Sequence, residues 1–157
     1  MSHERTSVKA TAIHRMVERC RAHDYAPKVA RLPSGWLVLG ERQAFPGQCM
    51  LLPDPVVDHL NALAGAERAQ FLADMALAGD VILECTGALR INYAVFGNVE
   101  PALHAHIIPR RRTELAERHG AHPWATDWTR AAPYSTVQHG ELQSRIAARL
   151  AAAMIGG

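Results

Sequence analysis

The chain has 157 residues, 48% of them hydrophobic and 20% charged, with 17 Lys and Arg against 15 Asp and Glu. This is one domain of ordinary size, able to bury about two-thirds of the surface its unfolded chain exposes, and so balanced a charge argues against a dedicated nucleic-acid binder, which usually carries a basic stripe. No apolar run approaches the ~20 residues of a membrane span, the start MSHERTSVKA has no signal-peptide pattern, and Cys20, Cys49 and Cys85 are isolated, which favours reduced thiols in a cytoplasm.

In chain order, residues 8–22 read as a helix, since Ile13, Met16, Val17 and Cys20 share one stripe. His14 lies beside that stripe without an evident role. Val29–Leu32 and Trp36–Leu39 flank the turn triplet Pro33-Ser34-Gly35 and read as a hairpin, and Cys49–Leu52 is a third strand. Asp54-Pro55 reads as a helix start, with the carboxylate as cap and proline at the first helical position, before the apolar Val56, Val57, Leu60 and Leu63. A longer helix is predicted over 66–89, with Gly79 and Gly87 weakening it modestly. Ile91–Val95 and Ala102–Ile108 are the last strands. Beyond them, Trp124, Trp128 and Tyr134 precede a helix capped by Ser135, with Gln138 three residues on and Leu142, Ile146, Leu150 and Met154 as its stripe. The tail is expected to pack on its own domain, with a seal over a site or a dimer contact as the alternative.

The stretch Ala102-Leu103-His104-Ala105-His106-Ile107-Ile108 alternates strictly, so an extended chain puts His104 and His106 on one face and Leu103, Ala105 and Ile107 on the other. Same-face neighbours stand roughly 6.5 to 7 Å apart, so both imidazoles reach one small ligand. Near neutral pH an imidazole is available as nucleophile, base or proton donor. Asn92 sits in an apolar strand and needs a polar partner, which marks it as a site candidate. Arg110-Arg111-Arg112 reads as a solvated strand exit, or, more sharply, as an arginine beside a phosphate.

These residues carry a resemblance. Ala102-Leu-His104-Ala-His106-Ile-Ile-Pro109-Arg110 resembles the His-φ-His-φ-His-φ-φ signature of the histidine triad (HIT) nucleotide hydrolases and transferases, with Ala102 where the family has its first His. Gly97-Asn98 is similar to the family's phosphate-side loop, Asn92 falls where the family has Asn or Gln, and Pro46-Gly47-Gln48 leading to Leu51-Leu52-Pro53 resembles its Pro-Gly-His and following strand.

The resemblance implies an α+β, HIT-like fold: an antiparallel five-stranded sheet with helices packed on one face and a C-terminal helical tail. Residues 1–28 are then the N-terminal helix and lead-in, 29–112 the HIT-like part, and 113–157 the tail of the same single domain. It implies a nucleotide or nucleoside phosphate derivative as partner, His104 as a nucleophile forming a nucleotidyl-histidine, His106 as its phosphate-side partner, and Asn92, Asn98 and Arg110 as substrate contacts. The covalent step needs no metal or other cofactor, and a homodimer is implied by the resemblance alone. Two departures stand out. Ala102 cannot orient the nucleophile through a side chain, leaving that to a backbone carbonyl or another histidine, and Val99 offers no hydroxyl to a leaving group. The alternatives are a nucleotide-binding module without turnover and a metal-binding H-x-H protein. The latter needs further ligands, for which His59, His119 and His122 are available without diagnostic spacing. His3, His23 and His139 carry no signal.

Overall fold

The computed structural model describes residues 9–156. The first residue of the helix expected over 8–22, the polar start and His3 lie outside them. Helix α1 (Ala12–Arg21) begins at a Thr11 cap: the Thr11 hydroxyl accepts from the His14 amide, and His14 Nδ1 accepts from the Thr11 amide at 3.2 Å. This is a capping box with histidine in place of the usual acid or amide, and it gives His14 a structural role.

Five strands follow, β1 (Lys28–Leu32), β2 (Gly35–Leu39), β3 (Cys49–Pro53), β4 (Arg90–Ala94) and β5 (Ala105–Arg110), in one sheet of order β1-β2-β3-β5-β4 with every pairing antiparallel. The hairpin is as expected. A Cβ at Gly35 would overlap the Leu52 carbonyl, so the close approach of β2 to β3 requires glycine there. Helices α2 (Gly65–Thr86) and α3 (Thr136–Ile155) cover one face. Phe71, Ala78 and Ile82 of α2 and Ile146 and Leu150 of α3 pack with Leu37, Leu39, Leu51, Leu103, Ala105 and Ile107 in the main core. Helix α2 stops at Gly87, whose left-handed φ of 63° suits glycine. Helix α3 is capped as the sequence predicts, with the Ser135 hydroxyl accepting from the Gln138 amide.

The opposite face is not bare. Ile13, Val17 and Cys20 of α1 pack on Trp36, Val38, Leu52 and Ala102, so α1 covers the β1–β3 side of that face. No α-helix starts at Asp54-Pro55; a single 3-10 turn, Leu60–Ala62, takes its place. The Asp54 carboxylate is engaged elsewhere, accepting from the Arg21 guanidinium and from Trp36 Nε1 at 2.9 Å, and cannot cap a following turn. The histidine strand is also displaced. It starts at Ala105, not Ala102, because the Leu103 amide donates to the Val57 carbonyl at 2.8 Å and not to a sheet neighbour. Residues 102–104 leave the sheet toward the segment 57–62. No helix among the described residues is long and apolar enough to cross a membrane.

Candidate functional site

The alternation survives the early end of β5. Leu103, Ala105 and Ile107 enter the main core, while Ala102, His104 and His106 lie on the other face. The ring centroids of His104 and His106 are 4.9 Å apart at an interplanar angle of 74°. Ala102 is covered by α1, His106 by the tail, and His104 stands between these two covers.

His104 Nδ1 lies 2.8 Å from the carbonyl oxygen of Ala102. A carbonyl can only accept, so Nδ1 carries a proton, and in the neutral ring the lone pair then lies on Nε2. The backbone carbonyl of Ala102 thus orients the His104 ring. Ala102 is 1% exposed and packed among Ile13, Val17 and Trp36. Ala102→His is therefore expected to overpack this cluster and lower stability by about 1–3 kcal/mol, read as a fall in the thermal midpoint.

His106 pairs with Met50 of β3 and Ala94 of β4. Trp124 meets it edge-on at 4.9 Å, and Trp128, stacked on Trp124, lies 6.0 Å away. Burial, with a smaller contribution from the neighbouring His104, pushes its pKa down from 6.5 to about 4. At neutral pH His106 is an uncharged imidazole. The unfolded chain binds a proton there below pH 6.5 and the folded chain only near 4, so this residue's contribution to stability is complete above pH 6.5 and is lost as pH falls toward 4. Thermal melts across that window are expected to show a falling midpoint, with a shallower slope in His106→Gln.

The remaining expected site residues separate into two places. Asn98 is exposed in the turn after Gly97, and Gly97, at φ 80°, lines a cleft with His104. Asn92 and Arg110 lie further along the same sheet face, where Arg110 Nη1 donates to Asn92 Oδ1 at 2.8 Å. Arg110 also donates to Glu114 through Nε and Nη2, to the Arg118 carbonyl through Nη2 and to the Ala121 carbonyl through Nη1. All five of its N–H donors are engaged within the protein, which leaves it none for the phosphate contact expected of it. Its role is to clamp the start of the tail onto β4 and β5. Burial pushes the Glu114 carboxyl up, but the Arg110 and Arg111 hydrogen bonds outweigh it and hold it below the usual carboxylate range.

The cleft at His104 has a volume of about 200 Å³ and is lined by Asp58, His59, Asn61, Phe96 and Gly97 among others. Asp58, His59 and Asn61 carry no motif or periodicity. They come to the site because the Leu103–Val57 hydrogen bond holds their segment beside the histidines. The tryptophans likewise arrive by a tertiary return of the tail, which is fastened where Tyr134 N donates to Glu41 O and Gln43 N to Ala132 O. The tail thus packs on its own domain and also seals His106. Among the described residues no three His, Cys, Asp or Glu side chains are grouped to hold a metal ion, and His119 and His122 are occupied with backbone groups of the tail.

No protein-family model and no curated protein sequence matches the chain. Solved structures do. A histidine triad protein of Bradyrhizobium japonicum superposes with a TM-score of 0.70 at 21% identity, over 83% of this chain and 94% of that one. A histidine triad protein of Sinorhizobium meliloti gives 0.66 at 22% identity, over 80% and 90%. A hypothetical histidine triad nucleotide-binding protein of Sulfolobus tokodaii gives 0.69 at 14% identity, over 87% and 91%. At these identities the likeness establishes the fold, and the chain has the HIT-like α+β fold.

Proposed function

We propose that this HIT-like chain is a nucleotide hydrolase or nucleotidyltransferase acting at the α-phosphate of a nucleotide derivative, such as a dinucleoside polyphosphate or a nucleoside phosphoramidate. His104 Nε2 attacks the α-phosphorus, the leaving group departs, and water or another acceptor resolves the nucleotidyl-histidine. Splitting one displacement into two lowers each barrier. The observation that carries this reading is the His104 Nδ1–Ala102 carbonyl hydrogen bond, which fixes the one tautomer with a nucleophilic Nε2.

The neighbouring groups take roles that fit their state. Neutral His106 donates a hydrogen bond to a phosphate oxygen, and Asn98 with the Gly97 turn supplies uncharged donors where charge develops. Asp58 and Asn61 sit at the same cleft, available to sugar hydroxyls. Asn92, already accepting from Arg110, has its amide nitrogen left to offer a ligand. No resident metal or cofactor takes part, and a cytoplasmic location and a homodimer are proposed on the family resemblance alone.

Hydrolysis of a dinucleoside tetraphosphate in ¹⁸O-water tests the point of attack. The label is expected in the nucleoside monophosphate. Label in the nucleoside triphosphate contradicts attack at the α-phosphorus on the histidine side, and binding without any turnover favours a nucleotide-binding module.

A further inference from the structure

Arg111 directs its guanidinium away from the histidines. Arg110 ends β5 on their face, two same-face steps past His106 and so roughly 13 Å from it. Arg111 turns to the helix-covered side, where its Nη2 lies 3.7 Å from the position a Cβ on Gly47 would take, beside Thr86 of α2 and Leu142 of α3. The guanidinium is half-buried there and makes no hydrogen bond, ion pair or aromatic stack among the described residues. Its backbone, not its side chain, meets Glu114: the Arg111 amide donates to Oε1 at 2.8 Å, and the carboxylate is itself held by Arg110. Burial lowers the Arg111 pKa from the ordinary guanidinium value, and the charge of Glu114 offsets part of this. An arginine stays charged nonetheless, so the fold holds a partly desolvated cation without a counter-charge of its own. That costs free energy unless an anion from outside the chain supplies the partner.

Arg111 stands between two cavities. One, of about 350 Å³, is lined by Arg90, Arg112 and Leu89 besides Arg110 and Arg111; the other, of about 370 Å³, has Arg118, Pro46 and Leu115 in its wall. Glu114, already paired, is the one carboxylate in either wall. Arg90, Arg112 and Arg118 have no side-chain hydrogen bond or ion pair among the described residues. Phe45 is the one Phe, Tyr or Trp in these walls, and at 3% exposure it offers no ring to a base. The walls therefore present guanidinium groups from β4 and from the start of the tail, with little to hold a nucleoside.

We propose that Arg111 is the centre of a binding site for a small multivalent phosphate such as pyrophosphate, with Arg90 and Arg112 on one side and Arg118 on the other. The site is separate from the histidine cleft and does not depend on the nucleotidyl-histidine reading. A guanidinium presents two parallel N–H donors to two oxygens of one phosphate, which a compact ammonium cannot do. A second phosphate on the same ligand reaches a second arginine, so a multivalent anion is favoured over a single one. Bound there, it ties the residues after β5 to β4 beside the Arg110 clamp and offsets the mutual repulsion of arginines that the fold brings together.

The test is isothermal titration of sodium pyrophosphate into the wild type, Arg111→Met, Arg111→Lys and His106→Gln, each with a thermal melt taken with and without the anion. The wild type is expected to bind one pyrophosphate per chain, less tightly as salt is added, and His106→Gln to bind as the wild type does. Arg111→Met is expected to weaken binding at least about tenfold, the loss of one charged hydrogen-bonding pair, with Arg111→Lys between the two. Without the anion Arg111→Met is expected to melt at or above the wild-type midpoint, because methionine keeps an apolar stem and removes the unpaired charge. Saturating pyrophosphate then reverses that order. A wild type that does not bind pyrophosphate, sulfate that binds as tightly, or equal affinity in Arg111→Met would each overturn the site. Equal weakening in His106→Gln and Arg111→Met would put the anion at the histidines and overturn it too. Arg111→Met melting well below the wild type without the anion would make the guanidinium a structural contact and contradict the proposal.

Discussion

His104→Ala is expected to lower nucleotide release by roughly 10⁴-fold or more, with binding of the nucleoside monophosphate retained. The size follows from removing the atom that bonds to phosphorus, since deletion of a nucleophile abolishes the covalent route and leaves only positioning and electrostatic help. Binding is retained because the cleft is walled by residues from other segments, Asp58, Asn61, Phe96 and Gly97. His106→Gln has a smaller expected effect, about 10²–10³-fold, the range for loss of a single hydrogen-bonding or proton-transferring group. Rates of monophosphate release and equilibrium binding of the product, measured on the same preparations, separate the two contributions. Equal losses in the two variants would mean that the rings share one role and that the tautomer set by the Ala102 carbonyl does not single out His104.

Arg110→Met is expected to cost about 3 kcal/mol, the low end of the penalty for breaking a buried ion pair, because this pair is half-buried. Arg110 and Glu114 are 12% and 11% exposed, and two backbone carbonyls of the tail lose their donor in the same change. For a domain of this size that corresponds to roughly 6–12 °C in the thermal midpoint. Arg110→Lys should restore little of it, because an ammonium cannot reproduce the planar fork that reaches Asn92, Glu114, Ala121 and Arg118 together. Replacing both partners, Arg110→Met with Glu114→Leu, should recover much of the loss, since no buried charge then stands alone. Near-additive losses in that double variant would show that the clamp acts through its carbonyl contacts and not through the ion pair. Activity is expected to fall with Arg110→Met as well, because the clamped segment leads to Trp124 and Trp128 against His106.

Much of this architecture is written in local patterns. Alternation at 102–108 places Leu103, Ala105 and Ile107 in the core and the histidines on the other face, and Ser135 with the stripe of Ile146 and Leu150 fixes α3. Such signals are readable because side-chain direction follows from backbone period. The rest is not legible because the partners of polar side chains follow no period. Asp54 reads as a helix cap, but Arg21 and Trp36, on two other elements, take its carboxylate. Arg110 reads as a phosphate contact, and nothing in the sequence shows that Glu114 and the carbonyls of a returning loop engage its donors. The tryptophan seal on His106 and the arrival of Asp58, His59 and Asn61 at His104 have no period at all, since both depend on how irregular segments are tied to the sheet. Ala102 is the instructive case. Its side chain stands where the sequence resemblance places a histidine, while its carbonyl, which no sequence pattern displays, accepts from His104 Nδ1.

The central claim, that His104 forms a covalent nucleotidyl intermediate, is tested most directly by intact mass of the protein quenched in acid-free conditions during turnover of diadenosine tetraphosphate, with the adduct mapped by peptide fragmentation. A transient gain of one adenylyl group on His104, absent from His104→Ala and gone when substrate is exhausted, is the predicted result. Monophosphate release at the wild-type rate with no adduct at any time, or an adduct that persists in His104→Ala, would contradict it.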